Sequence, residues 1–191
     1  PLPPVAGENN VCRGLYRYAG RQMKEIGNYR ELDIYFNNVD HVDVKTIEGD
    51  VSLRSFISAM LSYYPWWIVA LYKLREILVT ILGLVRHEKP DCLPSIMPED
   101  LAFEPGRTAS FFIVRTAKEN TYWVAESPED KHLKAFFGVV AENVTDGQNR
   151  FHVFTSVRYL HWTGPVYFNF VRPFHHLVVS RMMKAGAKPR Q

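Results

Sequence analysis

Hydrophobic and polar positions change period several times along the chain, and each change marks an element. Val42 and Val44 alternate with polar neighbours over His41–Ile47, the period of a half-buried strand. Gly49-Asp50 then turns the chain, and Asp50 or Ser52 can cap a helix begun there. Leu53, Phe56, Ile57, Met60, Leu61 and Tyr64 recur at helical spacing, so an amphipathic helix is predicted over about Ser52–Tyr64. Pro65 interrupts it and suits the first turn of a second helix, where its missing N–H costs nothing. In that helix Trp67, Leu71, Leu74, Leu78 and Ile81 share one stripe, with Tyr72, Lys73 and Glu76 opposite and Gly83 as the stop. The Trp66-Trp67 pair at its start reads as core. Upstream, Arg13–Ile26 reads as a further helix ended by Gly27, within a peripheral segment over residues 1–30.

Arg86–Thr108 carries Pro90, Pro94, Pro98 and Pro105 and reads as a long loop, the kind that often serves as a lid. Four strand-like runs come after it: Ala109–Thr116, Thr121–Ser127, Lys131–Asn143 and Arg150–His161. Short polar turns separate them and imply hairpins, hence an antiparallel meander. In the third run Leu133, Ala135, Phe137, Val139 and Ala141 alternate against His132, Lys134, Phe136, Gly138, Val140 and Glu142, so the first set faces the core. In the fourth, Phe151, Val153, Thr155, Val157, Tyr159 and His161 point inward by the same rule. A last helix is predicted from Gly164-Pro165 to Lys184, with Gly186 past its end. Its apolar arc holds Val166, Tyr167, Phe170, Val171, Phe174, Leu177, Val178 and Met182, and His175 sits at the edge of that arc. Pro173 removes one backbone bond from its middle. The whole reads as a single α+β domain over residues 1–191, an antiparallel sheet clasping a long C-terminal helix.

Composition changes this picture little. The chain has 191 residues, 47% hydrophobic and 23% charged, which suits one core. Its 12 Phe, 10 Tyr and 4 Trp are a surplus that fits a large core or a broad apolar cavity. The net charge of +3 is spread along the chain without a basic, aromatic-laced run, so nucleic-acid binding gains no support. Trp66–Leu84 is apolar enough to suggest a membrane span, but Lys73, Arg75 and Glu76 near its centre would each cost about 2.5–3.5 kcal/mol, and a spanning helix is rejected. Two cysteines, Cys12 and Cys92, lack metal spacing and fit a reduced, cytoplasmic setting.

Three inward polar groups on the last strand, Thr155, Tyr159 and His161, are the first candidates for a site, because buried polar groups need partners and a ligand can be one. Mutual hydrogen bonding across the core explains them equally well. His175 on the last helix is a candidate acid/base or ligand donor, with a buried histidine bonded to a carbonyl as the plainer alternative. Arg172 is a candidate for a ligand carboxylate, against a surface ion pair. His41 and Asp43 share a strand face, but no paired ligand spacing supports a metal site. There is no Gly-x-Ser-x-Gly, phosphate loop or Cys/His pairing, and no cofactor is expected.

Three segments carry a family likeness: Pro65-Trp66-Trp67, Asp130-Lys131-His132-Leu133, and Gly164-Pro165-Val166-Tyr167 leading into Arg172-Pro173-Phe174-His175-His176. Over roughly Asp40 to Met183 the chain resembles a bacterial family, domain-of-unknown-function family 2867, of the START/SRPBCC-like superfamily. Where the family continues His-Leu with Asp-Phe-Arg, this chain has Lys134-Ala135-Phe136. The resemblance implies a helix-grip fold around a hydrophobic cavity and no established activity. The expected partner is a small hydrophobic molecule between the sheet and the last helix, oriented by Thr155, Tyr159, His161, Arg172 or His175. A cavity enzyme of the cyclase, hydratase or hydrolase kind is the alternative, and an interaction module with a filled core the third. Whether the chain pairs as a homodimer is left open.

Overall fold

A computed structural model of the protein describes residues 29–81, 95–128, 132–145 and 147–189. Among them the strands β1 (His41–Gly49), β2 (Thr108–Ala109), β3 (Phe112–Lys118), β4 (Tyr122–Glu126), β5 (Leu133–Thr145) and β6 (Gln148–Tyr159) form one antiparallel sheet. Its order is β1-β6-β5-β4-β3-β2, a meander with the first strand added beside the last. The predicted helix Arg13–Ile26, the stop at Gly83 and both cysteines lie outside the described residues.

Among the described residues three α-helices accompany the sheet: α1 (Leu53–Leu61), α2 (Trp66–Ile81) and α3 (Thr163–Gly186). Ser52 starts α1, its hydroxyl accepting from the Ser55 N–H at 3.2 Å, and so offsets one of the unpaired donors of a first turn. The antiparallel sheet and the long C-terminal helix packed on it make the helix-grip α+β fold. The helix continues through Pro173, whose ring faces outward.

On the sheet's inner face Leu53, Phe56, Ile57 and Met60 of α1 pack on Phe151, Val153 and Trp123, joined by Val179 and Met183 of α3. The Phe56 and Phe151 rings stack at 4.0 Å. The outer face is also covered. A short 3-10 helix, Arg30–Tyr35, places Leu32, Tyr35 and Phe36 over Val140 and Phe154. Gly138 leaves room for the Phe154 ring, which a Cβ at that position would meet at 2.2 Å. Arg115, at a β-bulge between Val114 and Thr116, lies on this side as well and bonds the buried Glu126 at 2.6 Å. Lys134 approaches the same carboxylate at 3.1 Å.

The phase of α3 departs from the sequence reading. Of the predicted arc, Val166, Phe170 and Leu177 are 53%, 45% and 47% exposed while Tyr167 is buried, and the packing side continues through Phe168, Val179 and Met183. The helix is apolar over most of its circumference, so side-chain hydrophobicity alone does not choose a face. Two glycines mark the face that does pack. Gly164 lies against the His132 carbonyl, 2.7 Å from where a Cβ would sit, and Gly186 against the Phe56 carbonyl at 2.8 Å. They are about six turns apart on one side of the helix. The stripe on α2 shifts likewise: Leu74 is exposed and Ile68 is buried. Trp66, expected in the core, is 81% exposed.

Candidate functional site

At the other end of the inner face, the sheet, α2 and α3 enclose a cavity of about 340 Å³. The α3 positions that border it, Tyr167, His175, Val178, Val179 and Met182, recur on one side of the helix, the side that the observed phase turns inward. Ile68, Tyr72 and Arg75 of α2 line the opposite wall, Tyr63 and Tyr64 its α1–α2 corner, and Leu133, Ala135, Phe137 and Thr155 its floor. Phe111 of the β2–β3 turn and Phe112, the first residue of β3, border it too, their ring centroids 4.2 Å apart.

Two of the five predicted residues meet there. Thr155 is buried on β6, paired in register with Phe137 of β5 and Asp43 of β1, and it faces the cavity from the floor. His175 borders the cavity from α3, well inside the packing face rather than at the edge of an arc. Burial pushes its pKa down to about 4, helped by His176, His41 and Lys45 and opposed by Asp43. Among the described residues its ring makes no hydrogen bond. At neutral pH it is an uncharged imidazole with one donor and one acceptor.

The other three stand apart. Tyr159 shares the inward face of β6, but the start of α3 closes over it. Its ring packs 5.9 Å from Phe168, and its N–H donates to the Asp40 carboxylate at 2.7 Å. His161 lies beyond the end of β6, where alternation no longer applies. Its backbone N–H, with that of Leu160, bonds the His132 carbonyl, and its ring stands 3.0 Å from the Thr163 hydroxyl. Arg172 is exposed on α3, its nearest polar neighbour His176 at 3.5 Å. The space shared by Tyr159, His161 and His175 that phasing suggested is therefore not formed.

Beside the cavity, β1 and α3 meet through a polar contact. His176 Nδ1 is 3.0 Å from the Asp43 carboxylate, and the His41 ring packs on Phe168 at 4.9 Å. Burial, then Arg172, lowers the His41 pKa to about 4, with Asp43 opposing. No group of three or more His, Cys, Asp or Glu positioned for a metal occurs among the described residues.

The described half of the Pro-rich loop does not cover the mouth. Arg54 of α1 holds it by the Leu101 carbonyl at 2.8 Å, and the Trp123 indole donates to the Ala102 carbonyl at 2.9 Å. Leu101 is buried in the packed end of the core. The rest of the loop lies outside the described residues.

Sequence reasoning missed Arg75, Tyr72 and Tyr167 as site residues. The signal was present in part: Tyr72 and Arg75 are three apart on one side of α2, Tyr72 opposite the stripe that reads as core and Arg75 flanking it.

The signature of a family described as "Protein of unknown function (DUF2867)" matches residues 33–182. The chain belongs to this family. No curated protein matches the chain. Among solved structures, this DUF2867 protein is similar to a START superfamily protein from Mycobacterium smegmatis, at 14% identity and a TM-score of 0.39, covering 77% of this chain and 97% of that one. A truncated norcoclaurine synthase from Thalictrum flavum is 11% identical with a TM-score of 0.39, covering 79% and 95%. An uncharacterized protein from Rhizobium leguminosarum is 11% identical, also at 0.39, covering 77% and 95%. At TM-scores below 0.5 these likenesses say nothing of ligand or reaction. No described helix of the DUF2867 protein is long and apolar enough to cross a membrane.

Proposed function

We propose that this protein binds a small, largely apolar molecule in the cavity between the sheet and α3. The observation that carries the reading is the cavity itself. Its volume, about 340 Å³, falls at the lower end of the range of small-molecule sites, roughly 300–1,000 Å³. Ile68, Leu133, Phe137, Val178 and Met182 supply apolar walls, and burial against them would contribute most of the affinity. Thr155 and His175 would orient one polar group of the ligand. A pKa near 4 makes His175 a weak proton acceptor at neutral pH, which favours a positioning role over acid–base catalysis.

Native mass spectrometry of freshly purified protein tests the reading. The expected result is a small-molecule adduct that is released on denaturation and lost in Val178→Trp, which fills the cavity. An adduct of equal occupancy in Val178→Trp, or none in either protein, would overturn it.

A further inference from the structure

We propose that the ligand is an apolar carboxylic acid bound as its anion, with its carboxylate on Arg75 and its body running along α3. The inference rests on the cavity reading above and adds a charge to it.

Among the described residues Arg75 is the one lysine or arginine that borders the cavity, and no described aspartate or glutamate borders it. Nor does Arg75 make an ion pair within those residues. A guanidinium stays protonated at any physiological pH, so a cation at an apolar wall needs a counter-charge or water to offset its desolvation. A neutral ligand would cover this group and return nothing. An anion would convert the cost into charge-assisted hydrogen bonds.

The local geometry prepares Arg75 for that role. Its Nε donates to the Tyr167 hydroxyl, and the guanidinium carbon lies 5.8 Å from the centre of the Tyr167 ring. One donor of five is thereby used and the head is oriented, which leaves the terminal nitrogens for a planar acceptor pair. Tyr72, on the same side of α2, carries a hydroxyl whose pKa is raised, chiefly by burial, so it adds no negative charge. A lone guanidinium fork matches a monovalent carboxylate. A phosphate dianion would call for a second cation, and the cavity wall offers none among the described residues.

The apolar body has a defined track. His175 is two turns beyond Tyr167 on α3, about 12 Å along the axis, and Met182 lies about two turns further. A carboxylate on Arg75 therefore leaves room for a medium acyl chain or an arylalkyl group between Ile68 and Val178, with His175 beside it.

Calorimetric titration at neutral pH with two matched pairs, decanoate against decanol and phenylbutyrate against phenylbutanol, separates the two readings. In the wild type the acid should bind about tenfold or more tightly than its alcohol, the range of a hydrogen bond to a charged group. Arg75→Met should erase that preference by lowering acid affinity and raising alcohol affinity, since no charge is then covered, while Arg75→Lys should retain part of it. Should Arg75→Met fail to fold, Tyr167→Phe, which frees the guanidinium head, should lower acid affinity alone. Equal binding of acid and alcohol by the wild type, or a preference that survives Arg75→Met, overturns the carboxylate inference and leaves the cavity reading standing. Binding of neither acid nor alcohol ends both.

Discussion

The two ends of the sheet's inner face are built from the same strands and finished differently. Toward Gly49 and Ala141, β6 presents Phe151 and Val153, and α1 fills the space above them with Phe56, Ile57 and Met60. Toward Tyr159 the same strand presents Thr155, and the space above it is open. Two structural differences account for this. Gly186 lets α3 approach α1 to backbone contact at the packed end. At the open end α2 packs chiefly on α3, so it forms a wall instead of a lid on the sheet. A domain of this size can dedicate one end of its core to stability and leave the other free to bind, and polar residues then collect at the end that is not filled.

The contrast can be broken most directly at the packed end. Phe56→Ala should cost about 3–5 kcal/mol, because the ring is fully buried on Phe151 and its removal leaves a hole. Urea unfolding followed by circular dichroism measures it, and a loss under about 1 kcal/mol would mean that this end is as hollow as the other.

Adding volume sharpens the comparison. Val153→Phe at the packed end should destabilise by about 1–3 kcal/mol through overpacking. Val178→Phe borders the cavity and should stay within about 1 kcal/mol of wild type, since the new ring has space to enter. Equal losses in thermal unfolding would argue against a real void.

The smallest effect concerns pH. His175 titrates near 6.5 when unfolded and near 4 when folded, so the unfolded chain takes up its proton first as the solution is acidified. The stability linked to neutral His175 is complete above pH 6.5 and is lost as pH falls toward 4. The same direction holds for His41. Because His175 borders a cavity that solvent can enter, its share is on the order of 1 kcal/mol. His175→Gln should therefore lose less stability than wild type between neutral pH and pH 4.5. Parallel pH profiles would place the titration elsewhere.

Strand pattern carried much of this molecule in plain sight. Alternation in β5 and β6 assigned Phe137, Val139, Val153 and Thr155 to the inner face, and the structure keeps all four there. Period 2 is strict, so one misplaced residue would reverse a whole face. The cap of α1 was narrowed to Asp50 or Ser52, and the run Ala109–Thr116 proved to be the end of one short strand and most of another. The order of the main strands and helices and the family likeness were equally legible. The phase of α2 and α3 was not. Both helices are apolar on several sides, and a hydrophobic arc is a weak guide when the chain leaves Trp66, Ile77, Phe170 and Leu177 exposed. Gly164 and Gly186 decide the contact face of α3 by allowing backbone approach, and the absence of a side chain adds nothing to a hydrophobic periodicity.

The site divides along the same line. Sequence alone determined that Thr155 points toward the space between the last strand and the last helix, since strand alternation sets its direction. His175 it placed only at the edge of the helix's apolar arc, and the packing phase of α3 turned it to the cavity. Tyr159 and His161 obeyed the same alternation locally and are diverted by tertiary structure: α3 begins directly above Tyr159, and β6 stops before His161. Arg75 entered the site only through packing. It flanks the apolar stripe of α2 in the sequence, and it becomes a cavity wall because α3 turns Tyr167 toward it. Periodicity reports which residues share a face. Which face meets which neighbour, and whether the meeting fills or leaves a void, depends on close approaches between elements far apart in the chain.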